Sequence, residues 1–349
     1  MSNDDRGERI RPTGAGAGGG TVTTPGDRFS PRPVLGWATG VKELNILLAL
    51  LILCAFLSLR SDVFLSQGNM FGVARAFSLV AIVAIGQTMV IVTGGIDLSV
   101  GSVLALSGIT TGMLLGEGWP LIAAMIAGVL AGSVTGLLNG LLITMVGLPP
   151  FIATLGTLGI GRGLVYVLTK GYPVTIQREH DFLLNLGQGY VGSIPVPVII
   201  MGVITLLGTI FLSQSTLGRY IYAVGGNEEA ARLAGINVTL VKLLVYTLSS
   251  TLAALAGLIL VARLVSAQPS AGLGFELPVI AAAIIGGTSL LGGEGTILGA
   301  VLGAAIIGVL DNGIVLLGIN TYAQQIVVGV VILLAVSLDM WQKKRRLRA

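Results

Sequence analysis

Gly94-Gly95-Ile96-Asp97-Leu98-Ser99-Val100-Gly101-Ser102 is a polar, glycine-rich knot carrying a carboxylate between two runs apolar enough to cross a bilayer. An Asp at the centre of a membrane helix costs about 2.5–3.5 kcal/mol on insertion scales, so a carboxylate at that depth sits on a polar path or inside protein. Composition decides whether the flanking runs are spans. The 349 residues are 54% hydrophobic and only 10% charged, with 52 glycines, and the mean hydropathy is +0.93. A soluble domain carries about 25% charged residues on its outside, so the solvent for most of this chain is lipid.

A helical span needs about 20 mostly apolar residues. That ruler predicts an all-α polytopic membrane protein of about ten transmembrane helices, at 44–60, 70–92, 97–116, 119–146, 150–169, 194–213, 238–262, 274–287, 295–316 and 321–339. The eighth is short, and the glycine-rich piece 286–295 is expected to dip into the membrane, which leaves nine or eleven crossings open.

Residues 1–42 form a separate region, with Gly14 to Gly20 nearly all glycine and alanine and prolines at Pro12, Pro25, Pro31 and Pro33. This composition predicts a flexible tail. No apolar core follows the charged start, so the tail does not read as a signal peptide and the run from Leu44 is expected to stay as a span. The membrane domain is 43–340, and 341–349 is a basic tail. An even number of spans puts both termini on one side. That side holds Arg6, Arg9, Arg11, Arg28, Arg32 and Lys42, then Arg219, Arg232 and Lys242, then Lys343, Lys344, Arg345, Arg346 and Arg348. The other side has chiefly Arg60, Lys170, Arg178 and Arg263. The positive-inside rule makes both termini cytoplasmic. The net charge of +4 lies mostly in these tails and the 213–242 loop, so it reads as topology and not as a nucleic-acid surface.

Gly128, Gly132, Gly136 and Gly140 recur every four residues, as do Gly295, Gly299 and Gly303. That spacing keeps each set on one helical face and lets backbones approach closely, the main adhesive where the hydrophobic effect is unavailable. Packing inside one chain is favoured over packing between copies. Gly94–Ser99 and Gly286–Leu291 also resemble each other, each following an apolar run, as the trace of a duplicated helical unit would.

The loop 213–242 is the most charged connection on the inner side. Within it, Asn227-Glu228-Glu229-Ala230-Ala231-Arg232-Leu233-Ala234-Gly235 has a capping residue, early acids, helix formers and a glycine stop, which predicts a short helix. Two turns are marginal alone in water, so this helix packs on its own chain or docks on another protein.

Four segments together carry a family resemblance: GGIDLSVGS at 94–102, GLPPFIATLGT at 147–157, GRYIYAVGGNEEAARLAGI at 218–236 and IIGGTSLLGGEGT at 284–296. Over about 44–339 the chain resembles the ribose-type sugar permeases of ATP-binding-cassette importers. Glu229-Ala230-Ala231 with Gly235 is similar to the EAA loop of that importer class, although the proline that follows in the longer pattern is absent before Pro269.

The resemblance implies a permease subunit, not an enzyme, that pairs with a second copy, docks on a cytoplasmic ATPase and receives substrate from an extracytoplasmic sugar-binding protein. ATP and Mg belong to the ATPase, and no cofactor or metal is expected on this chain. The residues agree: no Gly-Lys-Ser or Gly-Lys-Thr phosphate loop occurs, Gly159-Ile160-Gly161-Arg162-Gly163 lacks a βαβ context, and His180 is the one histidine. The coupling residues implied are Asn227, Glu228, Glu229, Ala230, Ala231, Arg232 and Gly235, and the motif residues are Gly94, Gly95, Asp97, Ser99 and Gly101. A sugar needs neutral hydrogen-bonding groups, so the candidate substrate path is Gln87, Thr88, Asn139, Thr154, Thr157, Asn312, Gln324 and Gln325, each equally suited to an interhelical bond. Asp97 is read as a cap on the following helix in preference to a sugar contact, and Arg162 and Glu276 as ion-pair or interface residues. The outer loops 170–193 and 263–274 are the expected contact for the binding protein. A branched-chain amino-acid permease shares the broad architecture, and an ion-coupled carrier is the alternative of another class.

Overall fold

The structure, a computed structural model, describes residues 36–176, 180–320 and scattered positions from 322 to 337. Of the expected tail 1–42, residues 1–35 lie outside the described residues while 36–42 already belong to the first helix; the tail 341–349 and most of the tenth span 321–339, including Gln324 and Gln325, also lie outside them. Within them, helices α1 (Gly36–Arg60), α2 (Gln67–Val92), α4 (Leu121–Thr144), α5 (Pro150–Thr169), α7 (Val196–Gln214), α10 (Val238–Leu264) and α12 (Ile297–Leu316) each contain a segment long and apolar enough to cross a membrane. Two further expected spans are shorter helices, α3 (Val100–Gly116) and α11 (Glu276–Ile285). Nine of the ten expected segments are therefore helical, but the count of full-length spans among the described residues is seven.

Local sequence sets many of the ends. Ser66, Asn237 and Thr296 accept from the backbone N–H three residues on and so start α2, α10 and α12, satisfying amides that a helix start leaves unpaired. Proline opens α5 at Pro150, where the missing N–H costs nothing. Gly94 turns the chain after α2 with φ +81°, a conformation that favours glycine.

Helix α10 is the hub, packed against α2, α3 and α4. Small side chains make this possible. A Cβ on Gly136 would overlap the carbonyl oxygen of Tyr246, one on Gly132 would lie 2.5 Å from the Ala254 Cβ, and one on Gly140 would lie 2.9 Å from Leu243. Gly128 faces Ser107 and Thr111 of α3 in the same way. The first ladder thus packs α4 inside the chain, and in the second a Cβ on Gly303 would overlap Ala282 O, closing α12 on α11. In α2, 78% of the most apolar window is buried, against 6% in α1, so α2 is interior and α1 lies at the edge.

The chain breaks between α2 and α3, at 93–99, and between α11 and α12, at 286–296. A Cβ on Gly257 would overlap Leu104 O, and Ser107 bonds Ala254 O at 3.0 Å, so α3 runs beside the later half of α10. After α10, strand β4 (Ser266–Ala267) pairs with β1 (Val174–Thr175), and the chain folds back until Gly272 touches Gly101. Helix α11 therefore begins within the bundle, which explains its ten residues. The glycine-rich piece 286–295 lies at the end of α2, where Gly293 N donates to Val92 O at 2.9 Å.

At that same end α8 (Thr216–Gly226) and α9 (Glu228–Leu233) fill the connection between α7 and α10. At the opposite end are α6 (Asp181–Gln188) and a small hairpin of β2 (Tyr190–Val191) and β3 (Ile194–Pro195).

Candidate functional site

The polar knot forms a directed hydrogen-bond chain. Asp97 is fully buried. Its Oδ1 accepts from Ser99 N at 2.9 Å and from Ser99 Oγ at 2.6 Å, and its Oδ2 accepts from Ser249 Oγ on α10 at 3.0 Å. Asn139 Nδ2 on α4 donates to Ser99 Oγ at 2.9 Å, and Thr157 Oγ1 on α5 donates to Asn139 Oδ1 at 2.7 Å. Each donor points toward the carboxyl group of Asp97, whose two oxygens accept all three bonds that reach it. The start of α3 favours a negative charge at the same place.

The main chain of Asp97 is held as well. Gln87 on α2, its amide oriented by these partners, donates to Asp97 O at 3.1 Å and accepts from Asp97 N at 3.2 Å. Thr154 Oγ1 lies 2.9 Å from Pro150 O and 3.2 Å from Ile96 O, donating to one at a time. The knot thus ties α2, α3, α4, α5 and α10 together. Beside it the Tyr246 hydroxyl fits against Gly95, where a Cβ would overlap it, and it has no hydrogen-bond partner among the described residues.

Four of the eight expected path residues, Gln87, Asn139, Thr154 and Thr157, therefore come together around Asp97, with their polar groups engaged by protein. Thr88 stands apart, donating to Ala84 O at 2.7 Å within α2. Asn312 also stands apart. It exchanges two amide bonds with Asn69, at 2.7 and 3.0 Å, joining α12 to the start of α2.

Arg162 was expected in an ion pair or interface. Its guanidinium donates to Pro269 O at 2.8 Å and Ala271 O at 2.7 Å, with Gly101 O at 3.4 Å. It clamps the folded-back segment to the start of α3. Glu276 Oε2 lies beside Gly101.

The predicted short helix is present at the α2 end. Asn227 Oδ1 caps α9 by accepting from Ala230 N at 2.9 Å, and Gly235 at φ +83° follows it. Glu228 bonds Arg232 at 3.3 Å and Lys242 of α10 at 2.7 Å. Ala231 is the buried side of α9, while Glu229 and Arg232 are exposed and Leu233 is 85% exposed. An apolar tip held out on a capped, anchored turn suits contact with another protein.

Sequence reasoning missed Ser249, although a Ser-Ser pair inside an apolar span usually signals a buried polar partner. It also missed Tyr222 on α8, which donates to Gly295 O at 2.6 Å and whose hydroxyl is pushed up to about 12 by burial.

A bundle of apolar helices with a buried polar knot and an exposed helix on one end defines a polytopic membrane permease component. Residues 69–336 match the family described as branched-chain amino acid transport system / permease component, and the chain belongs to that family. Its curated relatives include the ribose import permease protein of Escherichia coli K12, 44% identical over 91% of this chain and 98% of the relative. The ribose import permease protein of Bacillus subtilis 168 is 46% identical over 86% of this chain and 93% of the relative. The D-allose transport system permease protein of Escherichia coli K12 is 42% identical over 83% and 88%. The resemblance to ribose-type sugar permeases is thus borne out.

Proposed function

We propose that this chain is the membrane subunit of an ATP-binding-cassette importer that brings a simple sugar, of the ribose or allose kind, into the cytoplasm. The observation that carries this reading is the likeness to a ribose import permease over 98% of that protein's length. The alternative, a branched-chain amino-acid permease, draws on the description of the matching family and on the shared broad architecture.

In this reading the α9 end and both termini are cytoplasmic, as the excess of Lys and Arg there supports. Helix α9, with Asn227, Glu228, Glu229, Ala230, Ala231, Arg232 and Gly235, docks on an ATPase that carries ATP and Mg. A sugar-binding protein delivers substrate at the α6 end. A second copy of the chain completes the path. Supporting that pairing, Gly156, Gly159 and Gly163 of α5 have open space where a side chain would stand, a small-residue face suited to close helix approach. Of the candidate path residues, Thr154 and Thr157 lie on this same helix, on its buried side.

The test is uptake of labelled pentoses, hexoses, polyols and leucine into cells with and without the chain, repeated with Glu229→Arg. ATP-dependent uptake of one sugar, lost in both the deletion strain and a membrane-inserted Glu229→Arg that no longer retains the ATPase, is the expected result. Leucine uptake selects the alternative. Uptake that survives Glu229→Arg and collapses with the proton or sodium gradient would falsify the importer reading.

A further inference from the structure

Helix α8 is wedged between the two chain breaks. A Cβ on Gly225 would overlap Val92 O at the end of α2 and stand 2.7 Å from Gly293 N in the second break. One on Gly292 would stand 2.7 Å from Gly225 O. The breaks are themselves joined there by the Gly293–Val92 hydrogen bond. One turn earlier, Tyr222 holds Gly295 O at 2.6 Å. The next residue, Thr296, caps α12 through Gly299 N at 3.0 Å and donates to Glu43 of α1 at 2.8 Å.

The apolar contacts follow the same route. Ile221 and Val224 of α8 and Ala231 of α9 share one buried cluster with Val92, Ala153, Tyr246 and Ile297. Helix α9 cannot shift as a free loop, because Glu228 is bonded to Lys242 and Asn227 closes α8 while capping α9.

We propose that α8 is the transmission element of this importer, with Gly225 and Tyr222 as positioning residues that couple movement of α9 to both breaks at once. Through Val92 the movement reaches 93–99 and the Asp97 knot. Through Gly293 and Gly295 it reaches the start of α12. Close-packed contacts of this kind move together and do not deform gradually. The proposal rests on the reading that an ATPase docks on α9.

The test uses the full chain reconstituted in vesicles with its ATPase and binding protein. Three quantities are read: ATPase retained by the chain, sugar carried per ATP hydrolysed, and amide exchange in 93–99 and 286–296 when a non-hydrolysable ATP analogue is added. Couplings between sites typically amount to about 5- to 150-fold. Gly225→Ala is expected to keep the ATPase bound and hydrolysing while sugar per ATP falls about tenfold or more and the exchange response of both breaks disappears. Tyr222→Phe keeps the backbone and lowers the ratio less, and it carries the test if Gly225→Ala does not fold. Gly226→Ala is the control, since a Cβ there meets nothing within 4 Å.

An unchanged ratio in Gly225→Ala and Tyr222→Phe overturns the proposal. So does an equal loss in Gly226→Ala, or loss of ATPase binding in Gly225→Ala, which would make α8 part of the docking surface. If the unmodified chain retains no ATPase, the docking reading fails, and this proposal falls with it.

Discussion

Arg162 reaches from α5 to the carbonyl oxygen of Ala271 at 2.7 Å, so a cation within a span is held by backbone carbonyls, with the Glu276 carboxylate as its electrostatic partner. In the folded-back segment before α11, Gln268 O, Ser270 O, Gly272 O and Gly274 O are taken by backbone turns, and Arg162 serves the Pro269 and Ala271 carbonyls between them. A guanidinium is suited to the task, since its planar fork serves two acceptors at once.

Arg162→Gln is accordingly expected to lower stability by about 1–3 kcal/mol, the cost of leaving buried carbonyls unmet, and to raise proteolytic sensitivity within 266–275. Arg162→Lys restores only part of this, because an ammonium lacks the fork. Thermal melting in nanodiscs with limited proteolysis checks both, and equal stability of the glutamine variant would refute the clamp.

Asp97 receives three donors, from Ser99 N, Ser99 Oγ and Ser249 Oγ. Asp97→Ala leaves them buried without an acceptor at about 1–3 kcal/mol each, enough to remove much of a typical protein's stability. Asp97→Asn keeps one carbonyl acceptor and is expected to cost less than half as much. Insertion and denaturant midpoints of the two variants give the comparison, and equal costs would mean the carboxylate is not a structural acceptor.

The α4–α10 contact is closed at Gly136, where even a methyl overlaps Tyr246 O. Gly136→Ala is expected to destabilise by about 1–3 kcal/mol through overpacking. Gly202→Ala on α7, which meets nothing within 4 Å, leaves stability level or slightly raised. Parallel melts of both variants read this directly.

Tyr222 gives a pH dependence with a fixed sign. Burial raises its hydroxyl from about 10 to about 12, so folding favours the neutral phenol. Its contribution is fully present below the unfolded value near 10 and is lost as pH rises through about 12, following proton linkage. The stability advantage over Tyr222→Phe should hold constant up to that lower value and shrink above it. An advantage that disappears at neutral pH contradicts the assignment.

What was legible in the sequence is what local rules govern. Asn227 to Gly235 carries its own start and stop signals, and α9 forms between them. The glycine ladders of α4 and α12 announced close helix approach, which the backbone contacts at Gly136 and Gly303 display. The knot at Asp97 stood out because its cost at membrane depth demands partners. The identity of those partners was hidden where they come from far along the chain, as with Ser249, and the separate Tyr222–Gly295 bond was hidden because its acceptor is backbone. The fold-back before α11 was not foreseen, because hydropathy reads glycine-rich segments alike and only a contact such as Gly101 to Gly272 reveals it.

The hydrogen bond between Ser249 and Asp97 joins residues 152 positions apart. At about 5–20 residues per second, synthesis delivers Ser249 roughly 8–30 s after Asp97 has left the ribosome's catalytic centre. Ser99, Asn139 and Thr157 all arrive earlier, so the nascent first half can assemble the inner part of the chain of donors by itself. Helix α10 then has two tasks on entering the bilayer, to supply the last donor to the carboxylate and to close the glycine face of α4. A ribosome stalled between these helices would leave an inserted half with a half-satisfied acid, a substrate for membrane quality control before the protein exists as a whole.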